Sequence, residues 1–143
     1  MPDIRTVTDS FAVAPQIRPE DTAALAGKFA LLINNRPDGE APDQPSSAQM
    51  EAAARAAGVA YVHIPVTGAP GPDAVAATRA VLSAAEGPVL AFCRSGTRSI
   101  VAWGLAEAVA GRPTAELEAL GARAGYELGP ALRALLPGVR AAT

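Results

Sequence analysis

Short apolar runs alternate with helix-length segments along most of this chain. Four of these runs are short enough to be buried strands, and they lie at Phe11–Ala14, Phe29–Asn34, Tyr61–Val66 and Val89–Phe92. Strands that are separated by helices are joined by crossover connections, which favour parallel pairing. The pattern therefore predicts an α/β fold, with a central, mainly parallel sheet of four to five strands between two helical layers.

Proline, serine and threonine mark where the intervening helices begin. The predicted helices start at residue 19 and span residues 46–57, 72–86, 99–110, 114–123 and 130–136. The Pro/Gly-rich stretches at 36–45 and 68–72 are predicted to be functional loops. With 143 residues and no internal repeat, residues 1–143 are expected to form a single domain.

The most informative segment joins the fourth apolar run to the helix that follows it. Cys93, the only cysteine of the chain, ends that run, and Gly96 lies in the turn before the helix. A helix N-terminus offers unpaired N–H groups and a partial positive charge, so a thiol placed there ionises more readily than a free thiol. Arg94 and Arg98 add two cations. Cys93 is therefore predicted to be a catalytic nucleophile and Arg98 its catalytic partner.

The spacing between Cys93 and Arg98 carries further information. A ring of backbone N–H groups closed by an arginine forms an anion-binding loop, whose size depends on the number of intervening residues. Here that number is four, and the C-x4-R run resembles the active-site loop of rhodanese-type sulfurtransferases, in which the cysteine holds a sulfane sulfur as a persulfide. Cysteine phosphatases use C-x5-R, which would need arginine where this chain has Ser99. A sulfur atom is therefore expected to fit better than a tetrahedral phosphate.

Small and polar residues in and beside this loop are candidate ligands of the bound anion. Gly96 would let the backbone approach the anion without an intervening Cβ. The hydroxyl groups of Ser95, Thr97 and Ser99 are expected to donate hydrogen bonds to the sulfur or the anion. Arg94 is a further candidate, and in the alternative its side chain points to solvent.

Arg36 and Asp38 are candidate binding residues from a second loop. They follow the predicted strand at 29–34, and loops after parallel strands gather at the sheet edge where α/β proteins bind ligands. The alternative is a self-contained turn, in which Arg36 pairs with Asp38 or Glu40.

Structural roles compete with these assignments at other positions as well. A lone cysteine at the end of an apolar strand is often a small buried hydrophobe. Arg98 could instead pair with a carboxylate on a neighbouring helix. His63 lies in the middle of a predicted strand and is interpreted as a structural histidine.

Composition limits the expected partners. Twelve Lys and Arg against fourteen Asp and Glu give a formal net charge of −2, which does not suggest a nucleic-acid-binding surface or a polybasic membrane patch. No stretch of about 18 apolar residues is present and the N-terminus does not resemble a secretory signal, so a cytoplasmic protein without a membrane segment is expected. One cysteine and one histidine cannot form a Cys/His metal cluster, and no cofactor is expected.

Two further segments extend the resemblance beyond the cysteine loop. The segments Ile33–Glu40 and Tyr61–Val66, together with that loop, resemble the phosphatase-like domain of the β-lactamase-hydrolase-like family, DUF442, over about residues 1–112. The resemblance implies a cysteine-phosphatase-like α/β/α fold of the dual-specificity type, alone or fused to persulfide dioxygenases. Members of this family have been described both as phosphatases and as sulfur transferases.

Two departures from classical cysteine phosphatases favour sulfur transfer. Phe92 stands where those enzymes have a histidine before the cysteine, and residues 62–72 contain no carboxylate to protonate a leaving alkoxide. The acidic residue nearest to this segment in sequence is Asp73, which directly follows it. A general acid contributes about 10²–10⁴ in rate where the leaving group is poor. Sulfur transfer does not need one, because the departing sulfite or thiolate is a weak base.

The sequence therefore predicts a sulfurtransferase that moves sulfane sulfur from a small anionic donor, thiosulfate or glutathione persulfide, to a thiol acceptor through a Cys93 persulfide. A first alternative is a phosphatase acting on phosphotyrosine or a small phosphoester through a phosphocysteine, with Asp73 or Asp38 as the acid. A second is a non-catalytic persulfide carrier or binding module for a persulfide dioxygenase. In that case the helices in 113–143 would dock the partner, although they could equally cover the sheet.

Overall fold

The chain, described over residues 2–142 by a computed structural model, folds around one five-stranded sheet. The predicted domain limits, residues 1 and 143, lie outside the described range. The strands are β1 Arg5–Thr8, β2 Phe11–Ala14, β3 Leu31–Asn34, β4 Ala60–His63 and β5 Val89–Phe92. Their order is β1-β2-β5-β3-β4, with β1 antiparallel to β2 and all other neighbours parallel, which confirms the predicted α/β fold.

The edge strand β1 is absent from the sequence prediction. Only Val7 of its four residues is buried, so the segment shows no apolar run. An edge strand with one buried side chain obtains its conformation from pairing with β2 rather than from its own pattern.

Most helices lie close to the predicted ranges. The last one was predicted to end at residue 136, but it continues through Pro137 to Ala141, because Val139 beyond the proline is buried in the core. A 3₁₀ helix spans Pro19–Leu25, and the α-helices are α1 Ser47–Ala56, α2 Pro72–Ala84, α3 Thr97–Val109, α4 Thr114–Arg123 and α5 Gly129–Ala141. Ser46 and Gln49 form a reciprocal capping box at the start of α1, as the serine pair suggests. No helix within residues 2–142 is long and apolar enough to cross a membrane.

Strand β5 shows why the fold has three layers. Val89 and Ala91 point to one core, which contains the buried residues of α3. Leu90 and Phe92 point to the other, which contains Met50 of α1. Since successive side chains of a strand face opposite sides, a strand that is apolar at every position must be covered on both faces.

The C-terminal helices cover α3. Leu117 of α4 and Leu132 and Leu136 of α5 are buried in the same core as Trp103 of α3. Both α4 and α5 contact α3, so their apolar faces are used within the chain. These helices therefore cover mainly α3, with α4 also contacting β1, and the docking of a partner enzyme by this segment stays a prediction.

The four parallel strands bring their carboxyl ends to one edge of the sheet. Gln16 lies after β2, the segment 35–40 after β3, Val66 after β4 and Cys93 directly after β5. This edge is where open parallel sheets bind ligands, and it holds Cys93 and the loops around it.

Replacement of Leu90 tests the two-sided core. Leu90→Ala should lower the free energy of unfolding by about 2–5 kcal/mol, because Leu90 is fully buried in the central strand. The exposed control Arg79→Ala should change it by less than about 0.5 kcal/mol. Urea unfolding measures both, and similar effects for the two variants would contradict this description of the core.

Candidate active site

Cys93 lies at the bottom of the cysteine loop, residues 93–98. Its side chain is buried, and the Gly96 N–H donates a hydrogen bond to Sγ at 3.1 Å. The burial fits the alternative of a small apolar residue. A backbone N–H directed at the sulfur does not fit it, because that contact stabilises a negative charge on Sγ.

Gly96 occupies a position that only glycine fits. Its φ is 92°, in the left-handed region, where it serves as the N-cap of α3. A β-carbon at this position would also overlap the hydroxyl of Tyr126. Glycine has no side chain to cap the helix, and the first amide of α3, that of Thr97, donates instead to Ser95 Oγ.

Arg98 is fixed by two acceptors. Its two terminal nitrogens donate to the two Glu40 carboxylate oxygens at 2.8 and 2.9 Å, and one of them also donates to the Val66 carbonyl at 2.8 Å. The Glu40 hydrogen bond raises the pKa of Arg98, and the nearby Cys93 acts in the same direction. The guanidinium therefore remains charged beside the thiol. Arg98 thus pairs with a carboxylate, but this carboxylate lies in the loop after β3 and not on a neighbouring helix as the alternative has it. The same guanidinium lies near Cys93.

Glu40 joins Arg98 to Arg36. The Arg36 Nε donates to Glu40 at 3.0 Å, and its terminal nitrogen donates to the Gln16 amide oxygen at 3.1 Å. The hydrogen bonds from Arg98, and then from Arg36, lower the pKa of Glu40 to about 2 despite the opposing effect of burial. Glu40 is consequently ionised at neutral pH and has no proton to give.

The hydroxyl groups predicted to bind the anion make internal contacts. Ser95 Oγ donates to Thr97 Oγ1 at 3.1 Å and accepts from the Thr97 N–H at 3.4 Å, and both residues are exposed. Ser99 is buried and donates to the Asn35 side-chain oxygen at 2.8 Å. Ser99 therefore ties α3 to the loop after β3, whereas Ser95 and Thr97 remain accessible at the loop surface.

The second predicted loop contributes only in part. Arg36 reaches the site through Glu40, which corresponds to one form of the turn considered from sequence. Asp38 accepts a hydrogen bond from the Ser47 N–H at 2.7 Å, so the structure places its carboxylate at the start of α1. His63 Nε2 contacts the Arg36 carbonyl oxygen at 2.8 Å, in line with a structural histidine. Asp73 lies at the start of α2 and lines a second cleft together with Val66, whose carbonyl accepts from Arg98.

A cleft of about 640 Å³ adjoins the cysteine loop through Arg94. Its charged lining consists of Arg18, Arg36 and Arg94 with Glu20 and Asp43. Arg94 is exposed, and its side chain belongs to this cleft. A lining with both signs of charge suits a small ligand that also carries both signs.

Sequence reasoning did not assign three of the groups at this site. Glu40 was considered with Arg36 and Asp38 as a residue of the pocket, or as a turn partner of Arg36, but its contact with Arg98 was not predicted. The Val66 carbonyl and the Tyr126 hydroxyl, which donates to the Ser95 carbonyl at 3.0 Å, have no local signal. Tyr126 is 31 positions from Ser95, so only the fold brings them together.

Comparison with known proteins identifies the family. A family model described as beta-lactamase hydrolase-like protein, phosphatase-like domain, matches residues 3–110. The chain belongs to this family. A beta-lactamase hydrolase-like protein of Xylella fastidiosa is 37% identical over 129 residues, which cover 88% of this chain and 30% of the relative. The chain thus spans about a third of the length of the curated relatives that it matches.

Solved structures support the same assignment for this phosphatase-like domain. A putative phosphatase from Neisseria meningitidis is 34% identical, with a TM-score of 0.81 over 96% of this chain and 98% of that one. A single-residue variant of human DUSP28, 18% identical with a TM-score of 0.65 and full coverage of both chains, shares the fold. The family and the fold of this chain are therefore those of a phosphatase-like domain. These comparisons support the phosphatase alternative more directly than sulfur transfer.

The lowered pKa of Glu40 predicts a pH-dependent contribution to stability. A carboxylate whose pKa is lower in the folded state stabilises the fold above its unfolded pKa of about 4.3, and this contribution is lost as pH falls toward 2. Wild type should therefore exceed Glu40→Gln in free energy of unfolding at pH 7, with the difference shrinking between about pH 4.5 and pH 2.

Denaturant unfolding across this pH range measures that difference. Glu86→Gln, an exposed glutamate outside the site, is the matched control and should show little difference at any pH. A Glu40→Gln difference that stays constant down to pH 2 would show that the carboxylate is not held in its ionised form by the arginines.

Proposed function

We propose that this phosphatase-like domain is a sulfurtransferase that moves sulfane sulfur through a persulfide on Cys93. One observation carries the proposal: both carboxylate oxygens of Glu40 accept hydrogen bonds from Arg98, which holds the pKa of Glu40 well below its usual range, so this carboxylate does not act as a proton donor at neutral pH. Residues 62–72, which include the end of β4 and the loop after it, contain no carboxylate.

The ionised state of Glu40 matters because of the leaving group. An alkoxide released from a phosphoester is a strong base, and its departure is slow without general acid catalysis worth about 10²–10⁴ in rate. Sulfite or a thiolate is a weak base and leaves without protonation. The contacts of Glu40 therefore favour a reaction with a weakly basic leaving group.

The reaction has two balanced steps. The Cys93 thiolate attacks the outer sulfur of thiosulfate, a bond forms between the two sulfurs, and the donor's S–S bond breaks, with its electron pair leaving on sulfite. Arg98 and the loop N–H groups hold the donor's anionic part. A thiolate acceptor then attacks the outer sulfur of the Cys93 persulfide and releases the Cys93 thiolate. Because one product leaves before the acceptor reacts, ping-pong kinetics are expected.

The adjoining cleft supports a larger donor or acceptor of the same chemistry. Glutathione carries two carboxylates and one ammonium group. Arg18 and Arg94 are cations suited to the carboxylates, while Glu20 and Asp43 are suited to the ammonium group. Arg94, the residue after Cys93, lines this cleft. The location suits a peptide thiol whose sulfur must reach Cys93.

Intact mass tests the persulfide directly. Wild type exposed to thiosulfate or glutathione persulfide should gain the mass of one sulfur atom, and cyanide or glutathione should remove it. Cys93→Ser, which lacks the only thiol, should gain nothing. The absence of any sulfur adduct on folded wild type at saturating donor would overturn the sulfurtransferase proposal.

Phosphoester hydrolysis is the second candidate, and the family and the Neisseria relative favour it. In this reaction Cys93 takes the phosphoryl group, the leaving oxygen departs with the bond electrons, and water hydrolyses the phosphocysteine. With Glu40 ionised, the leaving oxygen departs unprotonated, so only esters of acidic alcohols are suitable substrates.

The dependence of rate on the leaving group tests this candidate. Across a series of aryl phosphates, kcat/KM should fall steeply as the phenol becomes more basic, and alkyl phosphates should not react. Cys93→Ser should remove all activity. A shallow dependence, with good turnover of an alkyl phosphate, would mean that the site contains a proton donor and would contradict the role given to Glu40.

A further inference from the structure

The peptide unit between Ser95 and Gly96 is held at both ends. Its N–H, from Gly96, donates to the Cys93 Sγ at 3.1 Å. Its C=O, from Ser95, accepts from the Tyr126 hydroxyl at 3.0 Å. The N–H and C=O of a trans peptide point in opposite directions, so a donor on the carbonyl side keeps the N–H directed at the sulfur.

We infer that Tyr126 is a positioning residue for the nucleophile, which keeps the Ser95–Gly96 peptide turned so that its N–H stabilises the Cys93 thiolate. A hydrogen bond to the carbonyl oxygen also polarises the peptide and makes its N–H a stronger donor. Tyr126 lies outside residues 3–110, the part of the chain that the family model matches. The C-terminal segment thus supports the site as well as covering α3.

Several contacts hold Tyr126 in this place. Its hydroxyl occupies the space beside Gly96 that a β-carbon would fill. The Arg5 guanidinium of β1 lies over the phenol ring, 5.8 Å from its centre, and donates to the Ala124 carbonyl at 3.2 Å. Arg5 therefore anchors both the backbone and the ring of this segment.

The charged and titratable groups around the Cys93 thiol are compatible with this role of Tyr126. Burial raises the pKa of Tyr126, so the phenol keeps its proton and remains a donor at neutral pH. Arg98, on α3, and Tyr126, from the segment between α4 and α5, both interact electrostatically with Cys93. Asp3 and Arg5 face Tyr126 from the N-terminal segment, and Glu40 faces Arg98. A change of Tyr126 to Phe leaves all of these charges in place.

The experiment follows the thiolate by its ultraviolet absorbance as pH rises, in wild type and in Tyr126→Phe. The Cys93→Ser version of each protein serves for subtraction, which removes the tyrosine signal. The loss of one hydrogen bond is equivalent to about a two- to tenfold change in an equilibrium constant. It should therefore move the midpoint of the thiolate absorbance change to higher pH by several tenths of a unit to about one unit.

Tyr61→Phe is the matched control, since Tyr61 is the other tyrosine and its hydroxyl bonds to Asn34 and Ser47. It should leave the midpoint unchanged. Tyr126→Leu, which also loses the ring, should shift it at least as far as Tyr126→Phe. An unshifted midpoint in folded Tyr126→Phe, or an equal shift in Tyr61→Phe, would overturn the inference.

This inference rests on Cys93 as the nucleophile, but not on the group that it accepts. Failure of sulfur transfer with a shifted midpoint in Tyr126→Phe would overturn the proposed function alone. A persulfide on wild type with an unshifted midpoint in Tyr126→Phe would overturn the role of Tyr126 alone.

Discussion

The bridge from Arg36 through Glu40 to Arg98 is the interaction on which the rest of the site depends. It joins the loop after β3 to the first turn of α3, across 58 positions of sequence between Glu40 and Arg98. Two cations hold one carboxylate, so Arg98 stays charged and fixed near Cys93 while Glu40 stays ionised. The same contact that prepares the site for an anion removes the carboxylate bound to Arg98 as a proton donor.

This bridge can form because the sheet brings the loops that carry its residues together. Parallel strands bring the loops after β2, β3, β4 and β5 to one edge, where Gln16 supports Arg36 and the Val66 carbonyl supports Arg98. Beneath them, buried Ser99 and Asn35 link α3 to the same loop. Polar pairs with both partners satisfied hold one geometry, because breaking either would leave a buried polar group unpaired.

Sequence reasoning reached the parts of this architecture that have a local cause. Apolar runs at β2, β3, β4 and β5 predicted the sheet, and the placement of Cys93, Gly96 and Arg98 predicted the loop at the helix start. It did not reach β1, whose strand form depends on pairing, or the contacts of Asp38, which depend on where α1 begins. Sequence reasoning also did not predict the contact of Tyr126 with Ser95, because tertiary packing and not a periodic pattern brings these two residues together.

The central claim is that a site whose Glu40 carboxylate is held ionised by Arg36 and Arg98 selects weakly basic leaving groups, and among these sulfane sulfur donors. The most direct test compares kcat/KM for thiosulfate, with glutathione as acceptor, against kcat/KM for 4-nitrophenyl phosphate in one preparation of wild type. The account predicts a higher value for the sulfur donor, with both activities absent in Cys93→Ser. Turnover of the aryl phosphate without measurable transfer from thiosulfate would contradict it and make phosphoester hydrolysis the function of this chain.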